Sequence, residues 1–178
     1  MAKLSNIATL EYDVTKPNHF FEYLDTSFGT LEICADLDGV SSIRFVKEKC
    51  NTSNRCLNTQ QAVAQLEEYF AGTRTQFSLN LNAKGTDFQH QVWRQLTTIE
   101  YGQTCSYADI AKGIDNPKAV RAVGAANGRN PLTIVVPCHR VIGSNGKLTG
   151  YAWGTSIKAG LLELEKSVVL SNPTLSVG

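Results

Sequence analysis

No run of about 18 apolar residues occurs in this 178-residue chain, so no segment reads as a membrane-spanning helix. The opening residues, Met1-Ala2-Lys3-Leu4-Ser5-Asn6, lack the basic-then-apolar build of a secretory leader. Charge is sparse at 19%, against 42% hydrophobic residues, the reverse of the balance that keeps a chain disordered. Cysteine is limited to Cys34, Cys50, Cys56, Cys105 and Cys138. Their odd number and the lack of any CxxC pair argue against a disulfide scaffold and fit a reducing cytoplasm. Cys34, Cys50 and Cys56 with His19 and His90 give no convincing metal-ligand set, so no metal is expected to be needed. No cofactor is expected either. An excess of one charge is lacking too, the net value being +1. Yet residues 1–85 carry 8 basic and 10 acidic side chains and residues 86–178 carry 9 and 6, so any polyanion belongs to the second half.

What the chain does have is enough apolar material for one or two small domains. Between residues 19 and 46, short apolar runs alternate with turn signals, and Asp38-Gly39 between two of them marks a hairpin, so an antiparallel meander is expected. Val63, Leu66, Tyr69 and Phe70 repeat at helical spacing within 59–71, ahead of Gly72. Phe77 to Leu81 alternates with period two and reads as a strand. From Thr86 the texture turns helical: Thr86 can cap a helix carrying Phe88, Val92, Leu96 and Ile99, with Trp93 beside them. Ser106 opens a short helix through Gly113, Asn116-Pro117 turns the chain, and residues 118–127 form a second helix rich in small side chains, together a helix-turn-helix. Ala119, Ala122 and Ala126 permit close approach to another surface, which on this pattern alone is either a partner or a packed neighbour.

The chemistry concentrates at Ile134-Val135-Val136-Pro137-Cys138-His139-Arg140. An apolar run delivers a cysteine, and the next two residues supply a base and a cation, the neighbours that favour a thiolate. Cys-His dipeptides are more often structural than catalytic, and the spacing alone does not decide between them.

The string Pro137-Cys138-His139-Arg140-Val141-Ile142, with Asn130-Pro131 before it and Gly150-Tyr151 and Leu161-Leu162-Glu163-Leu164-Glu165 after it, resembles the active-site signature of the O6-alkylguanine-DNA alkyltransferases, or methylated-DNA-protein-cysteine methyltransferases. Phe88-Gln89, Val92-Trp93, Ser106-Tyr107, Ile110-Ala111 and Asn116 to Gly124 resemble that family in the same order, over about 80 residues. The resemblance implies an α+β fold: a small N-terminal antiparallel sheet with a helix, ribonuclease H-like, over residues 1–85, and a helical, winged-helix-like catalytic and DNA-binding domain with the helix-turn-helix over residues 86–178.

It also implies roles. Cys138 takes the alkyl group from guanine O6 as a thioether that nothing here hydrolyses, so each molecule reacts once. His139 deprotonates the thiol through a water, Glu165 orients the imidazole, and Asn130 supports the turn. Because a base edge inside a duplex is out of reach, the nucleotide is flipped out. Arg121 fills the gap, and Tyr107 helps rotate the nucleotide and protonates guanine N3. Ala119, Ala122 and Ala126 approach the minor groove, and Trp153, Tyr151 and Val141 line the substrate pocket. The implied partner is double-stranded DNA carrying O6-alkylguanine, with O4-alkylthymine as the alternative lesion, for a cytoplasmic monomer. Two positions depart from the family pattern: Ile99-Glu100-Tyr101-Gly102, where the family has Ile-Pro before the glycine and which is expected to alter a turn away from the chemistry, and Trp153, where many members have glycine and which predicts a bulkier pocket rim. A non-catalytic lesion-binding protein is disfavoured by the presence of Cys138, and a cysteine hydrolase by the lack of motif context around His19 and His90.

Overall fold

Leu31, Ile33 and Ala35 fall on every second position of their run, and in a strand that alternation puts all three on one face. In the computed structural model, which describes residues 19–49 and 52–172, they are fully or almost fully buried on strand β2, Gly29–Ala35. It lies between β1, Phe20–Thr26, and β3, Val40–Val46, in an antiparallel sheet of order β1-β2-β3. The opening residues and Cys50 discussed above lie outside the described residues. The Asp38-Gly39 turn closes the second hairpin, where an Asp36 carboxylate oxygen accepts from the backbone N–H of Asp38 and of Gly39 at 2.9 and 3.0 Å. Helix α1, Leu57–Phe70, packs along the sheet and buries Ala62, Leu66 and Tyr69.

The alternating run at Phe77 to Leu81 does not become a strand. Its one sheet-like contact is a parallel bridge between Leu81 and Val40. The reason lies in Gln65, whose side chain accepts from the Ser78 N–H at 2.8 Å and donates to its carbonyl at 2.9 Å, taking the groups a ladder needs.

The second half is helical, as its periodicity requires. Helix α2, Asp87–Leu96, starts at a capping box of Thr86 and Gln89, and its Trp93 indole N–H donates to the Ala126 carbonyl at 3.0 Å. Ile99 lies beyond the end of α2, in the turn that follows. A two-residue strand β4, Cys105–Ser106, leads into helix α3, Tyr107–Gly113, capped by Ser106 and Asp109. After the Asn116-Pro117 turn comes helix α4, Val120–Gly128. Cys138–Arg140 form a single 3-10 turn, followed at once by β5, Val141–Ile142, and later by helix α5, Thr155–Ser171. Strands β4 and β5 pair in parallel, so the turn bearing Cys138 is tied to the start of the helix-turn-helix.

The two halves share one hydrophobic core. Backbone bonds join them as well: Ile43 in β3 donates to the Pro131 carbonyl at 2.8 Å and accepts from the Thr133 N–H at 3.1 Å. The segment approaching Cys138 is thereby docked on the sheet. Within it, Ile134 sits at φ 75°, a conformation costly for a β-branched residue, and burial holds it there. The fold is α+β.

The tightest backbone approach is at Gly39, where an added Cβ would stand 2.5 Å from the Asn80 carbonyl oxygen. Gly39→Ala is expected to lower stability by about 1–3 kcal/mol in urea denaturation. Gly128→Ala, whose Cβ meets nothing within 4 Å at the end of α4, should be neutral or slightly stabilising.

Candidate active site

Two consecutive residues of the 3-10 turn are held in opposite ways. Cys138, 5% exposed, faces a narrow cleft of about 10 Å³, scarcely room for one water, walled by Asn127, Asn130, Thr133, Tyr151 and Trp153. His139, with no exposure at all, points the other way into the protein, toward α5. Asn130 makes the nucleophile's setting: its amide nitrogen donates to the Val136 carbonyl at 2.8 Å and to Cys138 Sγ at 3.1 Å, while its oxygen accepts from the Leu132 N–H at 3.0 Å. Asn127, which the sequence reading passed over, adds a long bond from its amide to the Cys138 carbonyl at 3.4 Å.

Glu165 is the hub on the far side, fully buried on α5. Its Oε1 meets His139 Nε2 at 2.7 Å and accepts from the Tyr69 hydroxyl at 2.8 Å and Arg140 Nη2 at 3.0 Å. Its Oε2 accepts from Arg140 Nε and the Gly102 N–H, both at 2.9 Å. Burial pushes this carboxyl up, but the bond and charge from His139 and the Arg140 guanidinium outweigh it and hold the group down at about 2. An ionised carboxylate only accepts, so the neutral imidazole carries its proton on Nε2. Nδ1 then offers a lone pair, and it has no partner among the described residues.

Burial sets the resting charge of both reactive groups. It pushes the Cys138 thiol up, against the Asn130 bond and the positive charge of Lys158, so the sulfur rests protonated. It also lowers His139 below its ordinary range, despite the raising influence of Glu165, so the ring rests neutral. A neutral thiol beside a neutral, oriented base is a nucleophile awaiting proton transfer.

Several sequence expectations need correcting here. The cation near the sulfur is Lys158, not Arg140, which spends its guanidinium on Glu165 and on the Ile99 carbonyl at 2.6 Å. Lys158 was invisible in the sequence because a lysine on a helix normally reads as solvated; its Nζ is instead buried against the carbonyls of Val141 and Thr149, at 2.5 and 3.0 Å. Val141 does not line the pocket, since its side chain is fully buried in the core. The turn at Ile99 to Gly102 is not remote from the chemistry: Gly102, at φ 75°, gives its N–H to Glu165, and the Tyr101 ring lies 5.5 Å from the Arg140 guanidinium.

Around the cleft, Tyr151 keeps a buried hydroxyl without a partner among the described residues, and burial followed by the nearby Cys138 and Glu165 charges raises it. Trp153 stands in the wall, anchored by a 2.9 Å bond from its indole N–H to Thr133 and by an edge contact to Phe45. Tyr107, half-buried at the start of α3, is raised by burial and by Cys138, and it does not wall the cleft itself. On α4, Arg121 and Ala122 are exposed, and Ala119, just before the helix, is half-buried. Ala126 is 3% exposed beneath Trp93, so that end of the small-residue stripe is core, not surface.

Comparison with known proteins adds a family to this geometry. Residues 87–167 match the model of the 6-O-methylguanine DNA methyltransferase DNA-binding domain, and residues 20–83 that of its ribonuclease-like domain. The methylated-DNA–protein-cysteine methyltransferase of Methanosarcina acetivorans is 46% identical, over 83% of this chain and 99% of that protein. The crystal structure of Mycobacterium tuberculosis O6-methylguanine methyltransferase superposes with a TM-score of 0.78 at 43% identity, over 88% of this chain and 98% of that one. A Mycobacterium tuberculosis relative solved in complex with DNA gives 0.77 at 46% identity, over 83% and 93%.

The hub makes a stability prediction. Glu165→Gln leaves Arg140 buried without a counter-charge, and neutral-pH unfolding should show a loss of about 3–5 kcal/mol. Because the folded carboxyl lies at about 2 and its ordinary value is 4.5, the unfolded chain takes up the proton first on acidification. The contribution of Glu165 is therefore full above pH 4.5 and lost as pH falls toward about 2, and Glu165→Gln should flatten the stability curve across that window.

Proposed function

The chain belongs to the 6-O-methylguanine DNA methyltransferase family, and from that premise we infer that it repairs DNA as a methylated-DNA–protein-cysteine methyltransferase, moving an alkyl group from the DNA to one of its own cysteines. We further propose that the acceptor is Cys138. The observation that carries this reading is the pairing of a buried thiol, held by the Asn130 amide at 3.1 Å, with the adjacent His139, whose Nε2 is fixed on Glu165 and whose Nδ1 is free to act.

In this mechanism the Cys138 proton passes through a water to His139 Nδ1 as the sulfur attacks the carbon on guanine O6. The S–C bond forms as the C–O bond breaks, and the guanine leaves with a proton taken at N3 from Tyr107. Protons return from the imidazolium to the phenol through solvent. Lys158 supplies positive charge while the sulfur is anionic, and Glu165 stabilises the imidazolium. The resulting alkyl thioether is inert to the water and imidazole beside it, because an unactivated saturated carbon does not release a thiolate to water, so the protein is used once. Its tightly held Tyr107 proton suits donation only when guanine develops charge.

The cleft between Asn130 and Trp153 is too small for a base as it stands, so its walls must part to admit a flipped nucleotide, and a small alkyl group asks least of that opening. We place the DNA on the face of α4 that exposes Arg121 and Ala122, with Ala119 at its margin, and assign Arg121 to the gap in the stack. Residues 86–178 form the DNA-binding and catalytic part in this reading, and residues 1–85 the supporting lobe. O6-alkylguanine in duplex DNA is the substrate and the protein acts as a monomer. Among the described residues no helix is long and apolar enough to cross a membrane, and reduced cysteines favour the cytoplasm.

Intact-mass analysis after incubation with O6-methylguanine DNA should show one added methyl per molecule, mapped by peptide sequencing to Cys138. Cys138→Ala should accept none while keeping its DNA affinity, since binding rests mostly on backbone contacts; a methyl on Cys105 of that variant would refute the assignment.

Arg121→Ala should slow repair of duplex DNA much more than reaction with the free base, because the gap in the stack costs on the order of a few kcal/mol only when a base is extruded. Equal slowing of both substrates in single-turnover kinetics would remove Arg121 from that role.

A further inference from the structure

The N-terminal lobe contributes one polar side chain to the Glu165 hub, and the mechanism above does not use it. Tyr69 lies on α1, has no solvent exposure, and is fixed by edge or tilted ring contacts with Phe70, Phe77 and Tyr101 at centroid distances of 5.3 to 5.9 Å. Its hydroxyl donates at 2.8 Å to Oε1 of Glu165, the same oxygen that faces His139 Nε2 at 2.7 Å. With Arg140 Nη2 at 3.0 Å, three donors share that oxygen, and each weakens the others' hold on its charge.

We propose that Tyr69 is a positioning residue for alkyl transfer: by sharing Oε1 with His139 it limits how strongly Glu165 draws a proton onto the imidazole, so the supporting lobe sets the strength of the base that activates Cys138. The inference rests on the alkyl-transfer reading. It differs from a purely structural role in its sign. Removing the hydroxyl leaves the carboxylate ionised, still held by Arg140 and the Gly102 N–H, but concentrates its remaining attraction on His139. His139 then keeps its proton to higher pH. The other charged or titratable groups around the pair are Arg140 on the 3-10 turn, Lys158 on α5, the Cys138 thiol, Tyr101 before β4 and Tyr151 in the cleft wall. Tyr69→Phe keeps the ring that packs on Tyr101 and leaves each of these side chains in the protein.

The test uses the full chain. Single-turnover methyl transfer from O6-methylguanine DNA is followed across pH for the wild type, Tyr69→Phe and Phe77→Leu, with side-chain nitrogen NMR of His139 in parallel. Tyr69→Phe should move the acid limb of the rate and the His139 titration together to higher pH, by roughly half to one unit. Phe77→Leu loosens the same packing without touching the hydroxyl and should lower Tm with both curves in place. Incorporating 3-fluorotyrosine at position 69 keeps the ring and makes the hydroxyl a stronger donor, so it should move both curves to lower pH. A His139 titration unchanged in Tyr69→Phe, or equal shifts in Phe77→Leu, overturns the proposal. Absence of transfer by the wild type overturns the alkyl-transfer reading instead, while the NMR titration still decides the coupling.

Discussion

A single buried carboxylate organises this protein. Glu165 has no exposure, and a bare charge at that depth would cost several kcal/mol. Five donated bonds offset the cost, from the α1 tyrosine, the 3-10 turn's histidine and arginine, and the backbone of Gly102. Satisfying the carboxylate therefore requires α1, the turn after α2, the reactive turn and α5 to converge on one point. The orientation of His139 is a by-product of that requirement, and the orientation of Cys138, one residue earlier in the same turn, follows from it.

The same burial explains why the site is quiet until used. An exposed thiolate is open to any electrophile, whereas a desolvated thiol beside a desolvated imidazole keeps both groups neutral. In the proposed mechanism, charge separation then waits for a base seated in the cleft to complete the reaction geometry. Lys158 fits this scheme: its ammonium is near enough to be felt by the sulfur, while its Nζ is occupied by the carbonyls of Val141 and Thr149.

Legibility in the sequence followed the physics of each feature. Periodicity and caps are local, and the meander, α1, the Thr86 and Ser106 caps and the helix-turn-helix were readable from residues a few positions apart. Phe77 to Leu81 failed because a side chain thirteen positions away, Gln65, took the backbone groups of Ser78. At the site, the motif around Cys138 drew attention to the cysteine and histidine that the structure sets between Asn130 and Glu165. The polar groups that tune them did not show, because Lys158, Asn127 and Tyr69 look in sequence like a solvated lysine, a helix-end amide and a core aromatic. Val141 and Ala126 were misplaced for a related reason: a motif gives a residue's neighbourhood along the chain, and only packing says which way its side chain faces.

The donors to Glu165 precede it by 96, 63, 26 and 25 positions. Chains leave the ribosome from the N-terminus, so the sheet, α1 and the reactive cysteine are all made before the carboxylate that arms the histidine. Contacts of such long sequence separation also form late, since closing them costs loop entropy first. A nascent or truncated chain thus carries Cys138 beside an undirected imidazole, and His139 gains its carboxylate partner only with the docking of α5, which makes completion of the fold the step that assembles the site.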